Sequence, residues 1–301
     1  MKFAVGSAII DFCKKNSFED FETVFKFDDV LCSLDLPRNP PRVVYTFLKE
    51  TIVCDLGGDW VALDTLSTSK GNQEKFYSGY NNAYIKLRFF YDGKYWNDFL
   101  VEIIAGKLFN SKPLGITILK QKPVWTPKGW GCYSSNFNSS NSKFIPFAAV
   151  LDRYQLKFPV TDRFDFTLNV YSKYLGLDAS DYLTVMCLLD FILLNEDRHL
   201  NNLGVIFKEG KYYIPPIFDN GLGLFENDRK YDDLSYTTAL RRVKVKPFGM
   251  ELSNVIKRLP DLNKAKEVLG LCQFSKYWML PNNLAYQHLR RVVERLLSCC
   301  D

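Results

Sequence analysis

Histidine is scarce in this chain of 301 residues: there are two, and neither stands at metal-ligand spacing from a cysteine. The eight cysteines include no Cys-x-x-Cys pair. Because structural zinc sites are built from such clusters, the sequence argues against a zinc protein. It favours a reduced, cytoplasmic chain, since disulfide scaffolds are mostly short secreted proteins.

Long apolar runs are also missing, because no stretch approaches the roughly 18 residues that a transmembrane helix requires. We therefore expect no transmembrane segment. Residues 1–10 begin like a weak signal peptide, but their apolar core is interrupted and a charge follows at Asp11. We expect a first strand or helix there rather than a cleaved leader, which leaves export without a cleaved signal peptide open.

An excess of charge is missing as well, because the net charge is only +5 and 24% of the residues are charged. The basic cluster at 241–246, Arg-Arg-Val-Lys-Val-Lys, could attract phosphate, acidic protein or RNA. Such a cluster is more often a solvated face. We therefore expect no nucleic-acid partner.

Neither a Walker A sequence nor G-x-G-x-x-G is present. The polar segment 195–202 reads Asn-Glu-Asp-Arg-His-Leu-Asn-Asn, in which Asp197 precedes Asn202 by five positions. In the protein-kinase catalytic loop an Asp takes the hydroxyl proton, and an Asn five positions later holds a metal ion. Asp219 follows in Phe-Asp-Asn-Gly, where a second metal-binding carboxylate is expected after a hairpin.

The flanking sequence predicts how this segment is held. Residues 181–194 are mostly apolar and predict a buried helix, with Ser180 as its N-cap. Two apolar runs joined by Lys-Glu-Gly-Lys predict a hairpin over 203–218 that carries Asp219 back beside the polar segment. The alternative is a surface ion cluster followed by an Asn-Gly turn.

The string Asp-Arg-His-x-x-Asn, followed by Phe-Asp-x-Gly, resembles HipA-like bacterial Ser/Thr kinases, and phosphoinositide-kinase-like enzymes use a similar loop. Residues 68–79 contain a Gly followed by Gln-Glu-Lys, which is similar to the ATP-phosphate loop of the HipA-like group. The resemblance implies that Gly71, Gln73 and Lys75 lie at the phosphates of ATP; a polar surface loop is the alternative. It covers residues 68–224, and the chain length fits the compact, cell-translocating members of the family.

Residues 83–91 form an apolar and aromatic run that contains Lys86 and predicts a strand. A lysine there faces either solvent or a cleft. The resemblance implies that Lys86 positions the α- and β-phosphates and pairs with an acidic residue on the next helix. Apolar residues recur at helical spacing over 95–109, where Asp98 is the first expected partner and Glu102, one turn later, is the alternative.

Residues 147–154, Phe-Ala-Ala-Val-Leu-Asp-Arg-Tyr, look like the hinge strand of the same family. The resemblance implies that backbone groups near Leu151 and Asp152 meet the adenine edge, with Tyr154 packed nearby. A buried strand without that role is the alternative. Residues 126–143 predict a long polar loop, suited to a lid or a substrate-facing insert.

These features predict an α+β chain with a two-lobe protein-kinase-like fold. The strand-rich N-lobe would span residues 1–154 and the mainly helical C-lobe residues 155–301. ATP would bind between the lobes.

The resemblance implies phosphorylation of Ser or Thr in a protein substrate, with ATP and Mg²⁺ as cofactors. Asp197 would accept or orient the hydroxyl proton, and Arg198 and His199 would complete the catalytic set by bracing the loop. Asn202 and Asp219 would hold Mg²⁺. A phosphoinositide-type lipid kinase and a catalytically silent nucleotide-binding interaction protein are the other functions left open.

Autophosphorylation is expected at Thr68 or Ser69, with Ser78 a weaker candidate, because related kinases are modified beside this loop. Phosphate there would add negative charge beside the ATP phosphates and weaken nucleotide binding. Toxin members of the family have a longer N-terminal region than the roughly 67 residues that precede the loop here. We therefore expect no antitoxin partner.

Overall fold

The computed structural model describes residues 4–5, 52–63, 73–88, 90–91, 94–95, 98–108, 116–193, 195–223, 245–251, 254 and 258. They form two compact units. Described residues from 4 to 106 and from 120 to 136 make up the first unit, and the others make up the second. In this part of the chain, no helix combines the length and apolarity that crossing a membrane requires.

The first unit is built on strands, and the ones that the structure describes are β1 Ala4–Val5, β2 Ile52–Val53, β3 Trp60–Leu63, β4 Lys75–Ser78, β5 Ala83–Leu87, β6 Phe90–Tyr91, β7 Lys94–Tyr95, β8 Gln121–Thr126 and β9 Gly129–Ser135. Seven of them form one sheet in the order β1-β2-β8-β9-β5-β4-β3. Neighbouring strands are antiparallel except β2 and β8. β6 and β7 form a separate hairpin.

One face of the seven-stranded sheet carries a buried apolar cluster of this unit. Side chains alternate along β5, so Ala83, Ile85 and Leu87 are buried while Tyr84 and Lys86 point to the opposite face. The buried cluster on the core side consists of Cys54, Trp60, Phe76, Ala83, Ile85, Leu87 and Val124. Burial of each large apolar side chain stabilises the fold by about 2 kcal/mol, and it fixes which face carries Lys86.

Helix α1, Asp98–Leu108, lies in sequence between β7 and β8. The helix expected over 95–109 is confirmed, but it begins later because Tyr95 pairs with Phe90 in the preceding hairpin. Both apolar and acidic residues of α1 are buried, including Phe99, Asp98 and Glu102. Buried carboxylates require partners, and Glu102 has one in Lys86.

The second unit combines helices and a small sheet. The helices are α2 Phe147–Arg153, α3 Arg163–Leu175 and α4 Ser180–Leu193, and the strands are β10 Ser142–Pro146, β11 Gly204–Lys208 and β12 Lys211–Tyr213. The three strands are antiparallel in the order β10-β11-β12. Tyr171 of α3 stacks on Phe147 of α2 and donates a 2.8 Å hydrogen bond to the Gly204 carbonyl, which joins both helices to β11.

The helix and hairpin that flank the catalytic motif are confirmed, but Ser180 is the first residue of the helix rather than its N-cap. α4 is buried on nearly every side from Tyr182 to Phe191, as its continuous apolar sequence indicates. β11 and β12 form the hairpin, with its turn at Glu209 and Gly210. β12 is shorter than expected, because the two prolines that follow at 215 and 216 cannot donate ladder hydrogen bonds.

Two secondary-structure expectations are wrong. The hinge segment 147–154 is not a strand, because Phe147–Arg153 is α2, with Phe147, Val150 and Leu151 buried at helical spacing. A short apolar run cannot distinguish a buried strand from a buried helix turn. The expected loop 126–143 contains β9, whose polar and glycine residues are held by pairing with β8 and β5.

The α+β class is confirmed by this mixture of antiparallel sheets and helices. The two-lobe plan with a boundary at residue 154 stays a prediction. Residues 241–244 of the basic cluster lie outside the described part of the chain.

Candidate active site

An ion pair on the Lys86 face of the sheet is the candidate site of the first unit. Lys86 Nζ lies 2.9 Å from Oε1 of Glu102, whose side chain is 1% exposed. Oε2 of the same carboxylate accepts a 2.9 Å hydrogen bond from Nε2 of Gln121 on β8. Because both carboxylate oxygens are engaged, Glu102 holds the lysine ammonium in a defined position.

The structure pairs Lys86 with Glu102, the alternative, rather than with Asp98, the first expectation. Asp98 is 2% exposed at the start of α1 and accepts a short hydrogen bond from Nε2 of Gln73. A carboxylate in the first turn of a helix is also stabilised by the helix dipole. Both acids are buried one turn apart, and their sequence spacing gave no basis for choosing between them.

The residues expected to hold the ATP phosphates have different environments. Gln73 is buried, and its amide also donates to the Leu87 carbonyl at 2.6 Å, so its side chain binds the protein itself. Lys75 lies on β4 directly opposite Lys86, which places the two lysine side chains on one face of the sheet. Gly71 lies outside the described residues.

Strand β9 approaches β5 unusually closely at Gly131. A Cβ at this position would lie 2.4 Å from the Lys86 carbonyl oxygen and 2.9 Å from the Leu87 Cα. Real Cβ atoms do not approach backbone atoms so closely, so only glycine allows β9 to pack here. Cys132, the direct partner of Lys86 on β9, is buried next to it.

In the second unit, Asp197 lies on the segment that follows α4, and its side chain is exposed. Its backbone N–H donates to Oδ1 of Asn195 at 3.2 Å, and Asn195 is buried. Asn202 is buried as well, and its N–H closes a turn by donating to the His199 carbonyl at 2.9 Å. The Asp197 side chain is thus exposed to solvent, while hydrogen bonds of buried Asn195 and Asn202 hold the backbone of the loop.

Arg198, expected in the catalytic set, is fully buried and cannot contact a substrate. Its Nε and Nη2 donate to the two carboxylate oxygens of Asp190 on α4, at 2.9 and 2.7 Å. Nη2 also donates to Oδ1 of Asn220 at 2.6 Å, and Nη1 donates to the Phe218 carbonyl. One guanidinium therefore ties α4, the Asp-Arg-His loop and the 218–220 segment together.

Burial acts to lower the pKa of the Arg198 guanidinium, but the charge and hydrogen bonds of Asp190 outweigh it and raise that pKa above its usual value. The side chain is therefore a permanent cation. It has no proton to exchange with a substrate at any physiological pH.

Asp219 has a left-handed backbone, with a φ of 60°, which costs a non-glycine residue about 1 kcal/mol. Its neighbours hold it in this conformation. The Phe218 ring packs 5.3 Å from the rings of both Phe137 and Phe144, and Asn220 is bound by Arg198. Strained residues held in this way occur often at functional sites, which agrees with a ligand-binding role for the carboxylate.

Asn202 and Asp219 offer amide and carboxylate oxygens, the hard donors that Mg²⁺ prefers. The described residues contain no group of three or more His, Cys, Asp and Glu that could hold a metal by itself. Mg²⁺ at phosphate-binding sites needs only one or two protein oxygens, since phosphates and waters supply the rest. The donor set therefore fits magnesium. His199 adds a buried Nδ1 with no hydrogen-bond partner in the described part of the chain.

The residues expected at the adenine lie on or just after α2. Leu151 is buried, Asp152 is exposed, and Tyr154 packs 4.9 Å from the Tyr174 ring. The Tyr154 N–H already donates to the Val150 carbonyl at 3.2 Å. At the edge of a strand, backbone N–H and C=O groups are available to a base. At residues 151–154 some of these groups already form hydrogen bonds within the helix. Adenine contact at these residues stays a prediction.

Sequence reasoning missed Asp190, Asn195 and Asn220, because each acts through a buried contact that has no motif of its own. It also missed Phe137 and Phe144, whose contacts with Phe218 join segments about 80 residues apart in the sequence. The one signal in the sequence was Phe218, an aromatic residue directly before the predicted metal-binding Asp219, which indicates that the segment packs against other apolar side chains.

Comparison with known proteins identifies the fold. No family model and no curated protein sequence matches the chain. Among solved structures, the Helicobacter pylori proinflammatory kinase CtkA is similar, with a TM-score of 0.50 and 16% identity over 82% of this chain and 94% of CtkA. HipA of Shewanella oneidensis MR-1, from its complex with HipB and operator DNA, gives a TM-score of 0.44 and 14% identity over 91% of this chain and 70% of HipA. The chain thus has a kinase-like fold similar to that of CtkA.

Proposed function

We propose that this protein transfers the γ-phosphoryl group of ATP to Ser or Thr hydroxyls of a protein substrate, with Mg²⁺. The observation that carries the proposal is the buried link between the Asp-Arg-His loop and the Phe-Asp-Asn segment through Arg198. The alternative, a surface ion cluster and a separate turn, gives no reason for a fully buried guanidinium to join the two. The kinase-like fold supports the same conclusion.

Asp197 is the candidate for handling the proton of the acceptor hydroxyl. Its carboxylate is exposed and can meet an incoming substrate, while its backbone is held by Asn195. Positioning of a carboxylate in this way suits a reaction in which catalysis depends mainly on orientation and charge stabilisation. His199, whose Nδ1 is buried, is the candidate for bracing this loop rather than for contact with the substrate.

Asn202 and Asp219 are the candidates for holding Mg²⁺, which when bound neutralises phosphate charge and aligns the phosphates. Lys86 is the candidate for the α- and β-phosphates, since Glu102 fixes its ammonium in place. Lys75, which projects from the same face, would add a second cation. The oxygens of the second unit suit a magnesium ion, and the cations of the first unit suit phosphate groups.

The choice of a protein acceptor rests on the Gln-Glu-Lys segment, which resembles HipA-like rather than phosphoinositide-type kinases. The basic cluster 241–246 would face the head groups in a lipid kinase, but only Val245 and Lys246 of it are described, so it gives that alternative no structural support. The experiment is therefore a direct comparison of acceptors. Purified protein is incubated with γ-labelled ATP and Mg²⁺, with a generic Ser/Thr-rich protein or with vesicles containing inositol lipid, and with EDTA as the control.

We expect label on Ser or Thr of protein, dependent on Mg²⁺. Label on lipid alone would replace the proposal with a lipid kinase. ATP binding without transfer to any acceptor would leave the nucleotide-binding interaction protein as the better description.

Autophosphorylation is proposed at Thr68 or Ser69, both outside the described residues. Ser78 is a poor acceptor, because it is fully buried and its hydroxyl donates to Asp59. We expect phosphosite mapping to find Thr68 or Ser69 modified, and the modified protein to bind ATP about tenfold more weakly, because the added charge repels the nucleotide phosphates. A Thr68→Ala and Ser69→Ala double variant is the control, and modification found only at distant sites would contradict this regulation.

A further inference from the structure

Asp190 lies outside both motifs, on α4 and seven residues before Asp197, yet it is the centre of the buried polar contacts beneath the candidate site. Its side chain is fully buried. Oδ1 accepts hydrogen bonds from Arg198 Nη2 at 2.7 Å and from Asn195 Nδ2 at 2.8 Å, and Oδ2 accepts from Arg198 Nε at 2.9 Å. We refer to Asp190, Asn195, Arg198 and Asn220 as the Arg198 cluster.

Two chains of hydrogen bonds lead from Asp190 to the candidate catalytic groups. Through Asn195, the carboxylate reaches the backbone N–H of Asp197. Through Arg198, it reaches the Phe218 carbonyl and the Asn220 side chain, which stand on either side of Asp219. A single carboxylate on α4 is thus connected by hydrogen bonds to the backbone at Asp197 and on both sides of Asp219.

Stability alone does not explain why this chain buries an ion pair here. The desolvation of two charges costs about as much as their attraction returns, and apolar replacements of the whole pair are often as stable or more stable. A packed pair of apolar side chains would also fill the space. What they could not do is donate to Phe218 and Asn220, as the planar donor array of the guanidinium does, or accept a hydrogen bond from Asn195, as the Asp190 carboxylate does.

We propose that Asp190 is a positioning residue of the active site, acting through Arg198 and Asn195 to set the relative placement of Asp197 and Asp219. The inference rests on the proposed kinase function for its effect on turnover. Its effect on backbone order does not depend on that function. Asp190 touches no substrate, since it is fully buried.

The test uses a variant, called the cluster variant, that removes both charged members of the Arg198 cluster, so that no unpaired charge stays buried. Asp190→Leu with Arg198→Met replaces the ion pair by apolar side chains and avoids the unpaired buried charge that either single change would leave. Asp165→Leu with Arg258→Met is the matched control. It removes a bidentate Asp–Arg pair of the same chemistry, with distances of 2.9 and 3.0 Å, from the surface of the same unit.

Arg198→Lys separates charge from geometry, because lysine keeps the ion pair with Asp190 but not the planar array. We expect the cluster variant to unfold cooperatively, with kcat reduced about 100-fold and the KM for ATP within about threefold of wild type, since misplacement of catalytic groups affects the reaction more than binding. Arg198→Lys should give an intermediate kcat, and the surface control should match wild type.

Hydrogen exchange measured on the same intact proteins reports the positioning directly. Amides of 195–202 and 218–221 should exchange at least about tenfold faster in the cluster variant, while those of α3 stay unchanged. A folded cluster variant with wild-type exchange in these segments, or with faster exchange but wild-type kcat, would overturn the inference. Should wild type transfer no phosphate at all, the proposed function fails, and the exchange rates alone decide whether the cluster positions the two segments.

Discussion

Asp197→Asn is expected to lower phosphate transfer about 1,000-fold while changing the free energy of unfolding by less than about 0.5 kcal/mol. The large effect follows from the loss of a carboxylate that accepts or orients the hydroxyl proton. The small effect follows from exposure, because an exposed carboxylate contributes little to stability, and the substitution keeps the backbone N–H that donates to Asn195. Initial rates with saturating ATP and thermal unfolding of the same preparations give both numbers.

Glu196→Gln is the matched control, since it makes the same charge change one residue earlier in the same segment. It should retain transfer within about threefold of wild type, because Glu196 has no role in the proposed reaction. Near-wild-type rates for Asp197→Asn would remove the catalytic assignment. Equal losses for the two variants would indicate that the net charge of the loop, rather than one carboxylate, is what matters.

Lys86→Met is expected to reduce kcat/KM for ATP about 100-fold, the loss typical of one charge-stabilising donor at a reacting group. Methionine replaces most of the apolar part of the lysine side chain and removes the ammonium that Glu102 fixes. Glu102→Gln should cost less, about tenfold, because the lysine remains but its position is no longer defined. Steady-state kinetics over a range of ATP concentrations measure both.

Asp98→Asn separates the two acids of α1. An asparagine can still accept the hydrogen bond from Gln73, so the rate should change by less than about threefold. Lys128→Met controls for loss of a surface cation in the same unit, since Lys128 pairs with Glu74 at an exposed position. A loss for Asp98→Asn as large as that for Lys86→Met would contradict the pairing of Lys86 with Glu102.

The helix, loop and hairpin around Asp197 were predictable because their signals are local. A continuous apolar segment gave α4, and the Lys-Glu-Gly-Lys turn gave the hairpin. Strand β5 was predictable in the same way. Its C-terminal end was not, because the expected strand 83–91 is divided between β5 and the separate hairpin of β6 and β7.

The failures have one physical cause, which is that long-range contacts decided the outcome. Phe147–Arg153 is helical because three of its apolar residues pack on one side, whereas its short sequence is compatible with either structure. β9 exists because β5 and β8 flank it, although its composition indicates a loop. The choice of Glu102 over Asp98, and the role of Asp190, depend on partners that lie on other elements.

A substitution at Gly131 would reduce activity although Gly131 takes no part in the chemistry. It has no functional group, yet any side chain there would collide with the peptide of Lys86 and push β5 away from β9. The ammonium and its partner on α1 would then separate, although both remain chemically intact. In a screen of single substitutions for loss of activity, changes at position 131 would therefore look as damaging as changes at Lys86. The structure shows that the role of Gly131 is to leave room for the backbone of β5.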